Sequence, residues 1–488
     1  MEDFVMSKKE TEKAGRKLSK LGLILSAIML VLTVIFLVLA FSTKMIPTPY
    51  MAILCVIGFV VWLVAFLLLK KSGRRVRFII GIIWMIIWLL LYTAAGYYLH
   101  QTRNALAGIT DTVTESSVIA FYVEENDPAQ TLEDAKDYNF GILKDLDRKN
   151  TDEALDRVSQ EDNITLSTTE YDDLLQLSDA LSEGEVNGII LNQAYLDLYQ
   201  EIPSYEDFPD QIRMLASKNL KHTVKEEETD TNAAADNVIN IYIRGSDTRE
   251  STLPSRSRSD VNIIASLNTK THEIVLISTP RDYYVPLSIS GGVPDKLTHA
   301  GIYGVDVSMD TLSQLYGIDL DYYFKVNFNG FIDIIDALGG ISVDSDYDFF
   351  AGGYHFNQGP NKLNGTQALA FCRERYAFAE GDRQRGENQM AVISGVLQKA
   401  LSPSILRNYT AVLNSAENCM ETDIPYDVLA GIVRQQLSDN ASWHITSYST
   451  NGTGAKKVPY SMSTTAYVMI PDEKTVEHAK LLLEQNMD

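Results

Sequence analysis

The sequence predicts three N-terminal transmembrane helices followed by extracytoplasmic α/β domains. Three observations carry this: long apolar runs near the N-terminus, an uneven spread of basic residues around them, and alternating strand-like and helix-like segments afterwards. Leu21–Phe41, Met51–Leu69 and Phe78–Tyr98 are each about the length that crosses roughly 30 Å of hydrocarbon. The first run is too long, and too closely followed by the others, to be a cleaved signal peptide. Lys8, Lys9, Lys13, Arg16, Lys17 and Lys20 precede it, and Lys70, Lys71, Arg74, Arg75 and Arg77 fill the loop between the second and third runs. The loop between the first and second has only Lys44. Basic loops stay in the cytoplasm, so residues 1–20 form a cytoplasmic basic N-terminus and 21–99 a multi-pass anchor in the cell membrane. Residues from about 100 to 488 are then extracytoplasmic.

At 488 residues the chain has room for two or three domains. Residues 1–99 hold 12 of the 42 basic and 4 of the 64 acidic residues, which leaves 30 against 60 for the exported part. A charge of that sign excludes general nucleic-acid binding, which needs a basic footprint, but permits one local cationic pocket. Cys55 lies in the second span, and Cys372 and Cys419 lie outside, where a disulfide is permitted but not required. No Cys/His spacing suggests a metal site.

Residues 100–222 read as a connector and a small α/β accessory domain. His100–Ser116 is a polar, partly helical connector, and the β-branched run Ser117–Glu124 is a strand. Helical patterns cover Ala129–Tyr138 and Thr168–Glu183, followed by a strand at Val186–Leu191 and a helix near Gln193–Gln200. No catalytic constellation appears there, and the module reads as a spacer or interaction domain. Residues 223–237 are charged and rich in small side chains, a linker.

The larger domain, 238–488, opens with a strand at Val238–Arg244 and a hairpin of Val261–Leu267 and Glu273–Ser278 around Asn268–Thr271. Helical spacing covers Val305–Tyr316 and Gly330–Leu338, the second stopped by Gly339 and Gly340, with a strand at Ile341–Asp344. A short helix at Asn364–Ala370 leads into a strand carrying Arg373 and Arg375. Met390–Leu401 and Pro425–Leu437 are helices, the latter with Pro425 in its first turn. Trp443–Ser449 and Ala466–Ile470 are late strands, and Asp472–Gln485 is the closing helix.

Arginines recur in GSDTRE (245–250), SRSD (257–260), STPRD (278–282), FCRERY (371–376) and GDRQRGENQ (381–389). Like charges repel unless an anion sits among them, and flat guanidinium forks suit a polyanion such as a pyrophosphate. Strand alternation places Arg373 and Arg375 on one face and Cys372 and Glu374 on the other. A helix starting near Asp382 puts Asp382, Arg385 and Gln389 on one stripe, with its positive dipole end toward an anion. Surface salt bridges with Glu374, Glu380 and Glu387 account for the same arginines equally well. Arg281 follows a strand and a proline, at the kind of strand end where ligand sites gather, and Asp282 is placed to orient it. Asp247 closes one strand and Asp260 opens another. With phosphates nearby they suit Mg²⁺, which takes one or two carboxylates completed by substrate oxygens and water, though turn chemistry explains them as well. Arg249 and Arg258 share the intervening loop, and Lys296 in DKLTHA is a further phosphate contact.

Taken together, GSDTR, RSD, STPRDYYV, DKLTHA, DYYFKVNFNGF with DALGGI, RERY and GDRQRGENQ resemble the LytR–CpsA–Psr (LCP) family in type and order. The resemblance is strong over 238–400 and weaker to the end. The three spans and the extra exported module are similar to the capsule-associated CpsA-like branch. What it implies is an LCP-like mixed β-sheet sandwiched by helices, with an apolar lipid tunnel. Runs such as Ile241–Ile243, Phe328–Ile335 and Val392–Leu397 would line that tunnel or simply fill the core. It also implies a Mg-dependent enzyme that transfers a glycopolymer, capsular or teichoic-acid-like, from an undecaprenyl-(pyro)phosphate carrier to peptidoglycan as a phosphodiester. On that reading Arg258, Arg281, Lys296, Arg373, Arg375, Asp382, Arg385 and Gln389 hold substrate, and Asp247 and Asp260 hold the metal. Asp260, Arg281, Arg373 and Arg375 form the catalytic group. Many members carry Arg-Gln where this chain has Asn388-Gln389, a form similar to the capsule branch. The implied partners are the lipid-linked glycopolymer, peptidoglycan, the membrane and capsule assembly proteins. A competing reading is a membrane scaffold or regulator of capsular polysaccharide assembly without catalysis. A transcriptional regulator is opposed by the topology and by the acidity of the exported part.

Overall fold

A computed structural model describes residues 2–70, 75–110, 114–223, 237–246, 256–402, 411–412, 415 and 420–487. The predicted linker (almost entirely), Asp247, Arg249 and Cys419 lie outside the described residues. The chain forms two compact units, 1–108 with 425–441, and 109–424 with 442–488.

The first unit holds α1 (Glu2–Ser42), α2 (Thr48–Lys70) and most of α3 (Arg75–Thr110). Lys17–Ser42, Thr48–Lys70 and Val76–Leu106 are long and apolar enough to cross a membrane. Valines, leucines and isoleucines are exposed around them, while Met29, Val61 and Ala65 pack against Trp84, Trp88 and Tyr92. A Cβ on Gly58 would lie 2.8 Å from Thr33 Cγ2, so the absence of a side chain permits this close helix approach. The helix Tyr426–Asp439 belongs to this unit, where the Tyr426 hydroxyl donates to the Thr43 carbonyl. Pro425 stands just ahead of that helix as its N-cap rather than inside its first turn.

The second unit begins with the accessory module: β1 (Thr114–Glu124), β2 (Asn139–Leu143), α4 (Arg148–Arg157), β3 (Ser167–Tyr171), α5 (Leu174–Ser182), β4 (Gly188–Asn192), α6 (Leu196–Tyr199), α7 (Phe208–Gln211) and β5 (Ile212–Thr223). Its sheet runs β3-β2-β4-β1-β5. The predicted helix over Ala129–Tyr138 is absent. Asp127 accepts from Ala129 N, and Asp134 accepts from the Gln130 and Thr131 amides, so side chains compete with helical backbone bonds and make turns instead. The predicted helix Thr168–Glu183 divides in two: β3 comes first, then the Asp173 carboxylate caps α5 by accepting from Leu175 N and Gln176 N. Ile302 of the larger domain enters the module's apolar core, and Ile202 of the module packs on Met462 and Ala466.

The larger domain contains β6 (Val238–Ser246), β7 (Val261–Asn268), β8 (Glu273–Ser278), β9 (Tyr284–Pro286), β10 (Pro294–Lys296), α8 (Leu297–Tyr303), α9 (Val305–Tyr316), β11 (Tyr322–Asn327), α10 (Phe328–Ala337), β12 (Ile341–Ser345), β13 (Phe349–Ala351), β14 (Tyr354–Phe356), β15 (Gly359–Leu363), α11 (Gly365–Arg373), α12 (Asp382–Ala400), β16 (Met420–Thr422), β17 (His444–Ser449), β18 (Gly452–Lys457), β19 (Ala466–Pro471) and α13 (Glu473–Met487). A mixed six-stranded sheet in the order β16-β11-β6-β7-β8-β17 forms its centre. Nearly every residue of β7 is buried, as expected of a strand covered on both faces. Tyr242, Ile264 and Ile277 pack on Leu312 and Tyr316 of α9 and on Val476 and Leu483 of α13. The layer of α10 to α12 gathers around Ile335, Phe371 and Val392, with α12 lying against β8 and β17.

The predicted strand through FCRERY is overturned. Asn364 and Gln367 form a capping box, worth about 1 kcal/mol, that starts α11 and carries it through Arg373. The helix ends where Glu374 turns extended (φ −67°, ψ 131°) and its carboxylate accepts from Tyr376 N and Ala377 N. Arg373 and Arg375 therefore do not share a strand face. Cys372 is a buried free thiol.

Candidate active site

The site is built at one end of the large sheet. Antiparallel pairing sets Ile263 of β7 opposite Ser278 of β8, and parallel pairing sets Ser449 of β17 beside Ser278. The start of β7 and the carboxyl ends of β8 and β17 are thus neighbours, where α/β sheets collect ligands. Asp260 stands just before β7 and Arg281 just after β8, and Arg281 Nη1 donates to Asp260 Oδ1 at 2.5 Å. The Arg281 carbonyl accepts from Thr298 N and the Pro280 carbonyl from Tyr283 N, which fixes the turn. On the other side, the first turns of α12 present Asp382 and Arg385, in contact at 2.5 Å. A Cβ on Gly386 would sit 2.6 Å from Ser278 Oγ, so glycine lets α12 approach β8. Asp260, Arg281, Asp382, Arg385 and Gln389 line one narrow cleft. A larger open hollow lined by Asp336, Lys362, Gln367 and Lys399 shares no residue with it.

The charges in the cleft are unevenly compensated. Burial opposes the Arg281 cation, but Asp260 and Asp282 outweigh it and hold the guanidinium's pKa above its usual value. Burial pushes Arg385 down, Asp382 only partly offsets this, and Arg281 and Arg375 repel it further. Arg385 is short of negative charge. Arg375 is half-buried, stacks 4.7 Å over the Tyr376 ring and donates to its hydroxyl at 2.6 Å. Arg373 is exposed in the last turn of α11 and is not among the cleft residues. Asn388 is buried and turned toward α11, donating to the Phe371 carbonyl.

Arg258 and Lys296 form a second cationic pair. Lys296 Nζ contacts Glu201 Oε2 at 2.6 Å and Asp282 Oδ1 at 2.9 Å, and Arg258 Nη1 donates to Glu201 Oε1 at 2.8 Å. Asp282 Oδ2 lies 3.8 Å from Arg281 Nε, so one aspartate joins the two groups. Sequence reasoning missed Glu201, which has no local signal, and Arg244, which had one: an arginine that directly continues the strand run INIYI. Arg244 is fully buried and Nη2 donates to the Ser257 carbonyl at 2.5 Å, bracing the segment that carries Arg258.

Among the described residues no group of three or more His, Cys, Asp or Glu side chains could hold a metal ion. A magnesium ion bound largely by phosphate oxygens needs fewer, and Asp260 on the cleft wall fits as one such carboxylate.

The LytR_cpsA_psr family profile matches residues 211–484. Polyisoprenyl-teichoic acid–peptidoglycan teichoic acid transferase TagU of Enterococcus faecalis is 35% identical over 190 residues, covering 39% of this chain and 62% of that protein. TagU of Bacillus mycoides is 36% identical over 190 residues, covering 39% and 61%. TagU of Bacillus subtilis is 33% identical over 219 residues, covering 45% and 70%. The chain thus spans 62% and 61% of the length of the first two relatives. The crystal structure of B. subtilis TagU aligns with a TM-score of 0.41 at 28% identity, covering 52% of this chain and 98% of that one. TagT bound to LI-WTA aligns with a TM-score of 0.42 at 24% identity, covering 52% and 92%. The family match takes in more than half of the 488 residues, including the whole cleft, and the chain belongs to the LytR_cpsA_psr family.

Proposed function

We propose that this protein is a membrane-anchored transferase that moves a glycopolymer from a polyisoprenyl phosphate or pyrophosphate carrier onto peptidoglycan. The observation that carries this reading is the cleft itself, where Arg281 and the under-compensated Arg385 converge with Asp260, Asp382 and Gln389. The teichoic acid transferase names of its relatives support the same chemistry. A teichoic-acid-like or capsular polymer would suit the cleft equally.

In the reaction, a sugar hydroxyl of peptidoglycan attacks the phosphorus that bears the polymer. A new P–O bond forms, the P–O bond to the carrier breaks, and polyisoprenyl phosphate leaves from a pyrophosphate donor. Arg281 and Arg385 neutralise the charge gathering on the leaving phosphate. The hydroxyl proton passes to Asp382, the cleft carboxylate not assigned to the metal. When bound, Mg²⁺ held by Asp260 and the phosphates would supply further charge neutralisation. Three crossings by α1 to α3 would place the α/β domains at the outer face of the cell membrane, where a lipid carrier presents its head group.

The test uses the full chain in detergent with a polyprenyl-pyrophosphate-linked oligosaccharide and peptidoglycan fragments, with and without Mg²⁺. Product that falls in R281A and in R385A is expected. Lipid binding without turnover, unchanged in R281A, would replace this reading with the scaffold.

A further inference from the structure

Glu201 belongs to the accessory module, in the turn after α6, yet its carboxylate serves the larger domain. It bridges Arg258 and Lys296 at 2.8 and 2.6 Å. The three side chains are only 17%, 24% and 7% exposed, so the contact is largely dehydrated and its Coulomb terms are strong. Among the described residues both carboxylates within 4 Å of Arg258, Glu201 and Asp197 at 3.9 Å, come from the module. The placement is fixed from both sides: Tyr199 and Ile202 are buried, and Ile202 packs on Met462 and Ala466 of the larger domain.

We infer that Glu201 is an internal anion that fills the Arg258–Lys296 phosphate subsite and lowers the site's affinity for a diphosphate, an inference that rests on the phosphotransfer reading above. A phosphate oxygen and a carboxylate oxygen ask for the same charge-assisted hydrogen bonds from a guanidinium and an ammonium. An arriving diphosphate must therefore displace Glu201 or sit beside a like charge. Ligands with weak contacts elsewhere are rejected, and a carrier that also engages Arg281 and Arg385 is admitted. The accessory module thereby sets a threshold for substrate. Through Lys296 and Asp282 the carboxylate is also linked to Arg281.

The experiment is calorimetric titration of the full chain in detergent with inorganic pyrophosphate, comparing wild type, E201Q, E201D and E201Q/R258A. E201Q is expected to bind about tenfold tighter, about 1.4 kcal/mol, and R258A in that background to remove the gain. Pyrophosphate should also raise the Tm of E201Q more than that of wild type. A purely structural strut would lower Tm without raising affinity, so equal or weaker binding by E201Q overturns the inference. E201D, which keeps the charge on a shorter arm, serves if E201Q does not fold: binding tighter than wild type supports the inference, and unchanged binding overturns it. R281A separates the two layers. Binding that R281A weakens but E201Q leaves alone removes only the role of Glu201. No binding by wild type or E201Q overturns the phosphotransfer reading and this inference together.

Discussion

Two cationic groups lie either side of Asp282 and are treated in opposite ways. For Lys296 and Arg258, burial opposes the charge, but Asp282 and Glu201 at the lysine, and Glu201, Asp260 and Asp197 at the arginine, more than offset it and both cations hold their protons more firmly than usual. For Arg385, burial together with Arg281 and Arg375 outweighs Asp382 and Asp260, and the proton is held less firmly. Lys296, Arg258 and Arg281 are compensated by the protein, and Arg385 is left short of negative charge. An under-compensated buried charge is costly, and its place at the sheet end beside Arg281 suits that end to receive an anion.

The sharpest way to break this comparison is to remove the under-compensated cation. Arg385→Ala is expected to lower transfer by 10²–10³-fold, the usual loss of a group that stabilises developing charge. Its thermal midpoint should fall little, because the burial of the guanidinium and its repulsion by Arg281 and Arg375 offset much of what the Asp382 contact contributes. A clear drop in Tm would mean that Arg385 is structural and that the contrast is mistaken. Lys296→Ala should do the reverse to stability. It leaves Glu201 and Asp282 buried without their ammonium and should cost about 3 kcal/mol, read as a lowered Tm.

The compensated side also predicts a pH response. His299 is fully buried; burial opposes its charge, but its Nδ1 contact with Asp295 at 2.7 Å and the nearby Glu201 raise its pKa from 6.5 to about 9. A folded-state pKa above the unfolded one gives stability that is complete below about pH 6.5 and is lost as pH rises through about 9. Melting curves at pH 6.5 and 9.5 should show a fall in wild type, and the fall should shrink in His299→Gln. A smaller effect is expected at the close approach of α12 to the sheet. Gly386→Ala places a methyl 2.6 Å from Ser278 Oγ, displaces that hydroxyl or the helix, and should cost about 1 kcal/mol along with part of the diphosphate affinity. Unchanged affinity would mean that the cleft tolerates the shift.

Much of this arrangement could be read from the residues. The apolar runs, the hairpin of β7 and β8, and the stripe Asp382–Arg385–Gln389 depend on period and turn chemistry, which are local. Gly339 and Gly340 end α10 at φ 79° and 81°, a backbone that favours glycine. FCRERY was misread because alternating polarity over six residues suits a strand as well as a helix end. The deciding signal lay upstream, in the Asn364–Gln367 capping box. β5 escaped because polar and basic residues such as Lys218, Asn219 and Lys221 break its apolar alternation, as in an edge strand, and it is paired only with β1. Glu201 could not be found at all. Its partners are 57 and 95 residues away, and only the docking of the module brings them together.

The smallest predicted effect is the control that tests the site's boundary. Arg383 lies two residues from Arg385 and carries the same charge, yet it does not line the cleft. Its guanidinium contacts Glu380 at 2.5 Å and Glu387 at 3.0 Å, which is the surface salt bridging that would equally have explained every arginine in this segment. The side chain is 35% exposed and its Glu380 partner 47%, so water screens the pairs and their contribution should lie within about 0.5 kcal/mol. Arg383→Ala should therefore leave transfer and pyrophosphate affinity unchanged. A loss approaching that of Arg385→Ala would show that the general positive potential of α12, rather than one placed guanidinium, holds the phosphates. The contrast between compensated and under-compensated cations would then lose its meaning for function.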